Sequence, residues 1–230
     1  MGDFKERNVW VIGAHGAIGA EIADHLEGRG AKVARSSRSA GDPQVDLRDA
    51  ASVLAAEAAV RGRFGRIHAL VVSVTLPVFG DFLELSDEDW SAVLDTKLMG
   101  ALRAVRAVAP GMIDAGGGDI VLITGTGRGV PPALTHLPGG AANAALNFLV
   151  PGLSARLGRH GIRINAVSPG PIRSPRLDAM TAAGARADTH IGRAGTAEDV
   201  AEAVAFLLSP AGGFVAGTNL VLDGGGRLGL

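Results

Sequence analysis

The feature that most constrains this chain lies at its start, where a short apolar run, Asn8 to Gly13 (NVWVIG), feeds directly into Gly13-Ala14-His15-Gly16-Ala17-Ile18-Gly19. A helical pattern then follows from Ala17 to Glu27 and stops at Gly28-Arg29-Gly30. A strand entering a helix through a glycine turn fits the opening unit of a parallel α/β sheet. Each glycine has a distinct task. Gly13 allows the tight turn, Gly16 lets backbone N–H groups approach a pyrophosphate, and Gly19 lets the helix pack close to the strand. Ile18 sits between them, and His15 lies in the turn as a further candidate for the phosphate site. The helix start then presents its partial positive charge to that phosphate.

The alternation continues. Further strands are predicted over Ala31–Ser36, Ile67–Ser73, Asp119–Thr124, Ile162–Val167 and Asn219–Leu222. Helices are predicted over Ala50–Arg61, from the Ser86 N-cap to about Ala109, over Gly140–Leu157 and over Glu198–Leu208. Pro110-Gly111 is expected to end the third helix, and Gly125 to Gly140 to form a loop over the carboxyl edge of the sheet. Short strands separated by helices imply right-handed crossovers and a sheet covered on both faces. The expectation is a Rossmann-like, doubly wound parallel sheet in a three-layer αβα sandwich, with residues 1–230 as a single domain.

Composition narrows the partners. The 230 residues are 47% hydrophobic, enough for a full core. The net charge is −1 and no basic stripe is present, which points away from nucleic acid. There are no cysteines, so no thiolate metal site, and the six histidines show no metal-ligand spacing. No apolar run reaches membrane-spanning length, and Met1 to Asn8 lacks the apolar stretch of a signal peptide. The expectation is a cytoplasmic protein acting on a small-molecule substrate.

The segment after the second strand reads Arg35-Ser36-Ser37-Arg38, with no acid until Asp42. An acid here would accept from a ribose 2′-OH, whereas arginine suits a 2′-phosphate. Ser37 and Arg38 therefore predict NADP(H) over NAD(H), the alternative for Arg38 being a solvated surface arginine.

Five segments together resemble the short-chain dehydrogenase/reductase family: the turn Gly13 to Gly19, Val45-Asp46-Leu47, the unit Ile162 to Gly170 (IRINAVSPG), Ile191 to Val200 (IGRAGTAEDV), and Leu222-Asp223-Gly224-Gly225. The resemblance covers nearly the whole chain. It implies that Asp46 sits near the adenine and that Pro169, Gly170 and Ile172 lie near the nicotinamide, with Ser174 at the position that contacts the carboxamide. It also implies a homodimer or homotetramer built through the long helices.

The same resemblance exposes a departure. The family pairs a tyrosine with a lysine four residues later, and this chain contains no tyrosine at all. Gly139 stands at the tyrosine position and Asn143 at the lysine position. Lys97 falls where the family has a helix asparagine, and the family's serine maps to Thr126 or to Gly125. Losing a positioned acid typically costs about 10²–10⁴-fold in rate. His136, seven residues before Asn143, matches the longer spacing used by the enoyl reductases of the family and is a histidine able to transfer a proton near neutral pH. Lys97 could tune a nearby pKa or donate through water, and Thr126 or Thr124 could hold a substrate oxygen. The apolar residues Leu76 to Phe79, Leu134 and Leu137 form either a pocket wall or a subunit contact. The expected activity is reduction or oxidation of a small organic carbonyl or activated alkene. The alternatives are a non-redox dehydratase, isomerase or cyclase on the same fold, or a non-catalytic dinucleotide-binding protein.

Overall fold

A computed structural model describes residues 4–125, 136–174, 177 and 189–226. Six strands form one parallel sheet: β1 (Asn8–Ile12), β2 (Lys32–Ser36), β3 (Ala69–Val72), β4 (Gly118–Ile123), β5 (Ile162–Pro169) and β6 (Asn219–Leu222). Their order across the sheet is β2-β1-β3-β4-β5-β6, and every pairing is parallel. The chain winds one way from β1 to β2, then crosses back over β1 to β3. The crevice beyond the carboxyl ends of β1 and β3 is the topological switch point, where folds of this kind receive ligands.

The helices are α1 (Ala17–Gly28), α2 (Ala50–Phe64), α3 (Asp87–Leu94), α4 (Gly100–Asp114), α5 (Leu137–Gly158) and α6 (Ala197–Leu208). Period-two alternation along the strands sorts the core into two layers. Trp10, Ile12, Leu70, Val72, Ile120 and Leu122 face one side, packed with side chains of α2, α4 and α5 such as Val53, Val105, Met112 and Leu146. Val9, Val11, Val71, Val121 and Val167 face the other, packed with Ile22 and Leu26 of α1 and Val200, Val204 and Leu208 of α6. All five residues of β1 and all four of β3 are buried, as strands covered on both faces require.

Two sequence expectations need correction. The third helix does not end before Pro110. A turn of π-helix, Asp95–Met99, joins α3 to α4, and α4 runs through Pro110 to Asp114. Proline removes one backbone hydrogen bond, but packing outweighs the loss: Met112 is fully buried, and its Sδ would lie 2.6 Å from a Cβ on Gly118. Similarly, α5 starts at Leu137 rather than Gly140, because Pro138 occupies the first turn, where a missing N–H costs no intrahelical bond. His136 is therefore the N-cap residue of a 22-residue helix rather than a residue within a loop. The strands end within a few residues of expectation. Among the described residues, no helix is long and apolar enough to cross a membrane.

Candidate active site

The helix starts differ in how they are capped. At α3, Ser86 and Asp89 form a reciprocal capping box, and at α6 Thr196 and Asp199 do the same. At α1 the N-cap is Gly16, no side chain caps the first-turn amides, and the first turn holds no acid. The uncapped N–H groups of α1 open onto the switch crevice, as pyrophosphate binding requires.

The glycines there are sterically enforced. Gly13 has φ +88°, and a Cβ on it would lie 2.0 Å from the carbonyl oxygen of Ser73 at the end of β3. A Cβ on Gly19 would lie 2.1 Å from the Gly13 carbonyl oxygen. Gly16 is different: its φ is −85° and the nearest atom would be 3.6 Å away, so its missing side chain leaves room for a ligand rather than for the fold. Ile18 packs partly buried against the α1–α6 layer, and His15 is exposed beside Gly41.

Beyond β2 the two arginines separate by role. Arg35 is committed to Asp24 at 2.6 Å and Glu27 at 2.7 Å, both on α1. Arg38 is exposed at the turn. Ser37 shapes that turn: its hydroxyl donates to the Ala40 carbonyl at 2.8 Å and accepts from the Ala40 N–H at 3.1 Å. Asp46 is anchored by buried Val45 and Leu47, and Arg103 donates to the Leu47 carbonyl at 3.0 Å. Its carboxylate takes two hydrogen bonds from the Arg48 guanidinium, at 2.7 and 3.1 Å. Those bonds pull the Asp46 carboxyl down to about 2, with a smaller contribution from the Arg38 charge.

The far end of the crevice is equally fixed. The Gly170 N–H donates to the Leu222 carbonyl at 2.8 Å, and a Cβ on Gly170 would lie 2.7 Å from Asp223 Cβ. Pro169 ends β5. Ile172 bridges to Gly195, whose N–H donates to Pro171 at 2.9 Å, while Arg173 N–H returns a bond to Gly195 at 2.8 Å. Ser174 donates to the Ile172 carbonyl at 3.3 Å and accepts from Leu177 N–H at 3.2 Å.

Between these ends lie the residues proposed for chemistry. Lys97, on the π-helical turn, is 6% exposed, and its ammonium donates to the Val74 carbonyl at 3.0 Å. His136 Nδ1 lies 2.8 Å from the Val78 carbonyl, and its ring packs on Phe79 with centroids 4.7 Å apart. The segment after β3 is thus tied both to the π-turn and to the start of α5. Asn143 lies on the α5 face that meets Gly125: a Cβ there would be 2.6 Å from Asn143 Nδ2. Thr126 and Leu134 lie outside the described residues.

Sequence reasoning missed a buried polar strip beneath this region. Thr124 Oγ1 lies 2.8 Å from Asn147 Oδ1 and 2.7 Å from Ser168 Oγ, and Ser168 donates to Asn219 Oδ1 at 2.7 Å. The strip links β4, β5, β6 and α5 below Gly125. Its signal was Thr124 and Ser168 at the carboxyl ends of β4 and β5, where alternation alone expects core. The site also leaves Thr124 with partners inside the fold rather than toward a ligand.

An all-parallel sheet with an uncapped glycine turn at its switch point defines a Rossmann-like dinucleotide-binding protein. Comparison with known proteins refines that class. The family model described as enoyl-(acyl carrier protein) reductase matches residues 13–226. D-threitol dehydrogenase of Mycolicibacterium smegmatis is 33% identical, over 94% of this chain and 90% of that protein. The 3-oxoacyl-[acyl-carrier-protein] reductase FabG of Escherichia coli is 29% identical, over 97% of this chain and 98% of the relative. The ligand-free structure of Thermoplasma acidophilum aldohexose dehydrogenase is 25% identical with a TM-score of 0.90, covering 99% of this chain and 96% of that one. The chain belongs to the short-chain dehydrogenase/reductase family and is an oxidoreductase of that family.

Proposed function

We propose that this protein is an NADP(H)-dependent oxidoreductase acting on a small organic carbonyl or an activated alkene, without the family's tyrosine and lysine. The observation that carries the cofactor half is the uncapped start of α1 beside Gly16, the one helix start of the three compared that lacks an internal anion. The residues present fit the group. Gly13, His15, Gly16, Ile18 and Gly19 would hold the pyrophosphate, Ser37 and Arg38 the 2′-phosphate, and Asp46 the adenine edge. Pro169, Gly170, Ile172 and Ser174 would line the nicotinamide.

When bound, the cofactor supplies or accepts a hydride. The protein's own share is to hold the acceptor beside the crevice, keep water out with the apolar segment around Val78 and Phe79, and move one proton. NADP(H) over NAD(H) rests on the different fates of the two arginines. Arg35 is occupied by two carboxylates, whereas Arg38 is exposed at the turn that follows β2. The family's long helices suggest a homodimer or homotetramer, and the exposed Phe148 on α5 and Ile113 on α4 suit such a contact.

Fluorescence titration with NADPH and NADH tests the cofactor assignment, and a panel of ketones and conjugated enones tests turnover. Tight NADPH binding with oxidation by one acceptor class supports the reading. Binding of neither nucleotide at millimolar concentration overturns it.

A further inference from the structure

Two glycines record where the site has been filled from elsewhere. A Cβ built on Gly139 would lie 2.0 Å from His136 Nε2 and 2.5 Å from its Cε1. The imidazole therefore occupies the volume from which any side chain at 139 would start. It is not loosely placed. Nδ1 lies 2.8 Å from the Val78 carbonyl, and the ring is tilted 30° against Phe79. A carbonyl oxygen can only accept, so Nδ1 carries a proton and Nε2 is the nitrogen that gains and loses one.

The second glycine is Gly125. A Cβ there would lie 2.6 Å from Asn143 Nδ2, so the amide fills the start of that side chain's volume as well. Asn143 Oδ1 is buried and has no hydrogen-bond partner among the described residues. A buried acceptor left without a donor destabilises the fold, and a ligand's hydroxyl can offset that cost. His136, Gly139 and Asn143 stand at i, i+3 and i+7, on one face of the helix. Asn147, four residues on, reaches the polar strip below Gly125. A single stripe of α5 thus carries an imidazole and, two turns further on, a buried amide oxygen without a hydrogen-bond partner among the described residues.

Resting on the reading of the site as a reductase, the geometry points to His136 as the proton-transfer residue, acting through Nε2 from the volume of a side chain at 139. In reduction, a bound cofactor would supply a hydride with its electron pair to the carbonyl carbon, opening the C=O π bond. The Nε2–H bond breaks and its proton goes to the oxygen. The cofactor would be oxidised as the substrate is reduced, and the ring is left neutral with its Nδ1–H still donated to the Val78 carbonyl. With a conjugated alkene the hydride goes to the β-carbon and the proton to the α-carbon.

The test compares wild type with His136→Gln and His136→Ala. Both variants keep a side chain or methyl at an N-cap that makes no side-chain capping bond, so the helix should form in each. His136→Gln is expected to melt like wild type and bind NADPH within about two-fold, yet lose on the order of 100-fold or more in turnover. Added imidazole should restore part of the activity of His136→Ala, since the vacated volume is ring-shaped. Independently of turnover, the ¹⁵N-histidine resonance that vanishes in His136→Gln should shift when the product alcohol is added to the NADP⁺-loaded protein. Turnover in His136→Gln within about three-fold of wild type overturns the proposal and leaves the reductase reading intact. So does an Nε2 resonance that ignores the alcohol. A loss in His136→Ala that imidazole does not relieve, with melting lowered in both variants, assigns a structural role and also overturns it. Wild type that neither binds nor oxidises NADPH is a different result: it removes the reductase reading itself.

Discussion

At the scale of single residues, the glycine turn separates fold from function in a measurable way. Gly13→Ala places a methyl 2.0 Å from backbone at a positive φ, so it should unfold the protein or cost more than about 2 kcal/mol in urea denaturation. Gly16→Ala has open space and an ordinary φ, so it should denature like wild type while weakening NADPH binding in titration. If Gly16→Ala left the affinity unchanged, the pyrophosphate would not approach at that point. Arg38→Ala should weaken NADPH by about 10-fold or more with little change in NADH, the value of one charged hydrogen bond. Arg35→Ala should not discriminate between the nucleotides, because Asp24 and Glu27 already hold that guanidinium. The sequence did reveal these glycines and the arginine pair, because backbone freedom and charge are properties of a residue type. It did not show which arginine was already engaged, since the partners lie eight and eleven residues away on another element.

Among the helices, capping makes the energetics legible. Thr196→Ala should cost about 1 kcal/mol, because it leaves first-turn N–H groups of α6 unsatisfied. Asp199 serves the same box and also takes two bonds from Arg193, at 2.6 and 2.8 Å, which hold its carboxyl well below the usual carboxylate range. Asp46 shows the pH consequence with a defined window. Its pKa in the folded protein is about 2, below the ordinary 3.8, so its contribution is present above pH 3.8 and is lost as pH falls toward 2. Asp46→Asn should therefore flatten the acid limb of the stability curve between those values, measured by chemical denaturation at each pH. An unchanged limb would mean that the Arg48 pairing contributes nothing in solution. The sequence read the caps correctly at Ser86. It failed at Pro110 because proline is a local signal, whereas the burial of Met112 against β4 comes from packing between elements. It placed the start of α5 three residues late for the same reason: the glycines at 139 and 140 read as loop, but a buried Pro138 in the first turn carries the helix over them.

For the whole molecule, alternation of strand and helix was enough to give the doubly wound sheet, since each apolar run is short and each helix long enough to cross back. What alternation could not give is the layer-to-layer arrangement of the polar residues. Thr124, just past β4, Asn147 on α5, Ser168 on β5 and Asn219 on β6 meet only when β4, β5 and β6 are in register. The proposed assembly belongs to this scale. Phe148 is 83% exposed on α5, and the Phe148→Glu variant should move the sedimentation profile from an oligomer toward a single 23.3 kDa chain. An oligomer that survives the substitution would place the contact on another face.

The interlock of His136 with Gly139, and of Asn143 with Gly125, bears on how such a site can change through mutation. A tyrosine introduced at 139 alone arrives in a volume the imidazole already fills, and a serine at 125 alone meets the Asn143 amide. A side chain at 139 requires the His136 ring to move aside, and one at 125 the Asn143 amide. The packing thus couples each glycine to one side chain, so a change at 139 is felt first at 136 and a change at 125 first at 143.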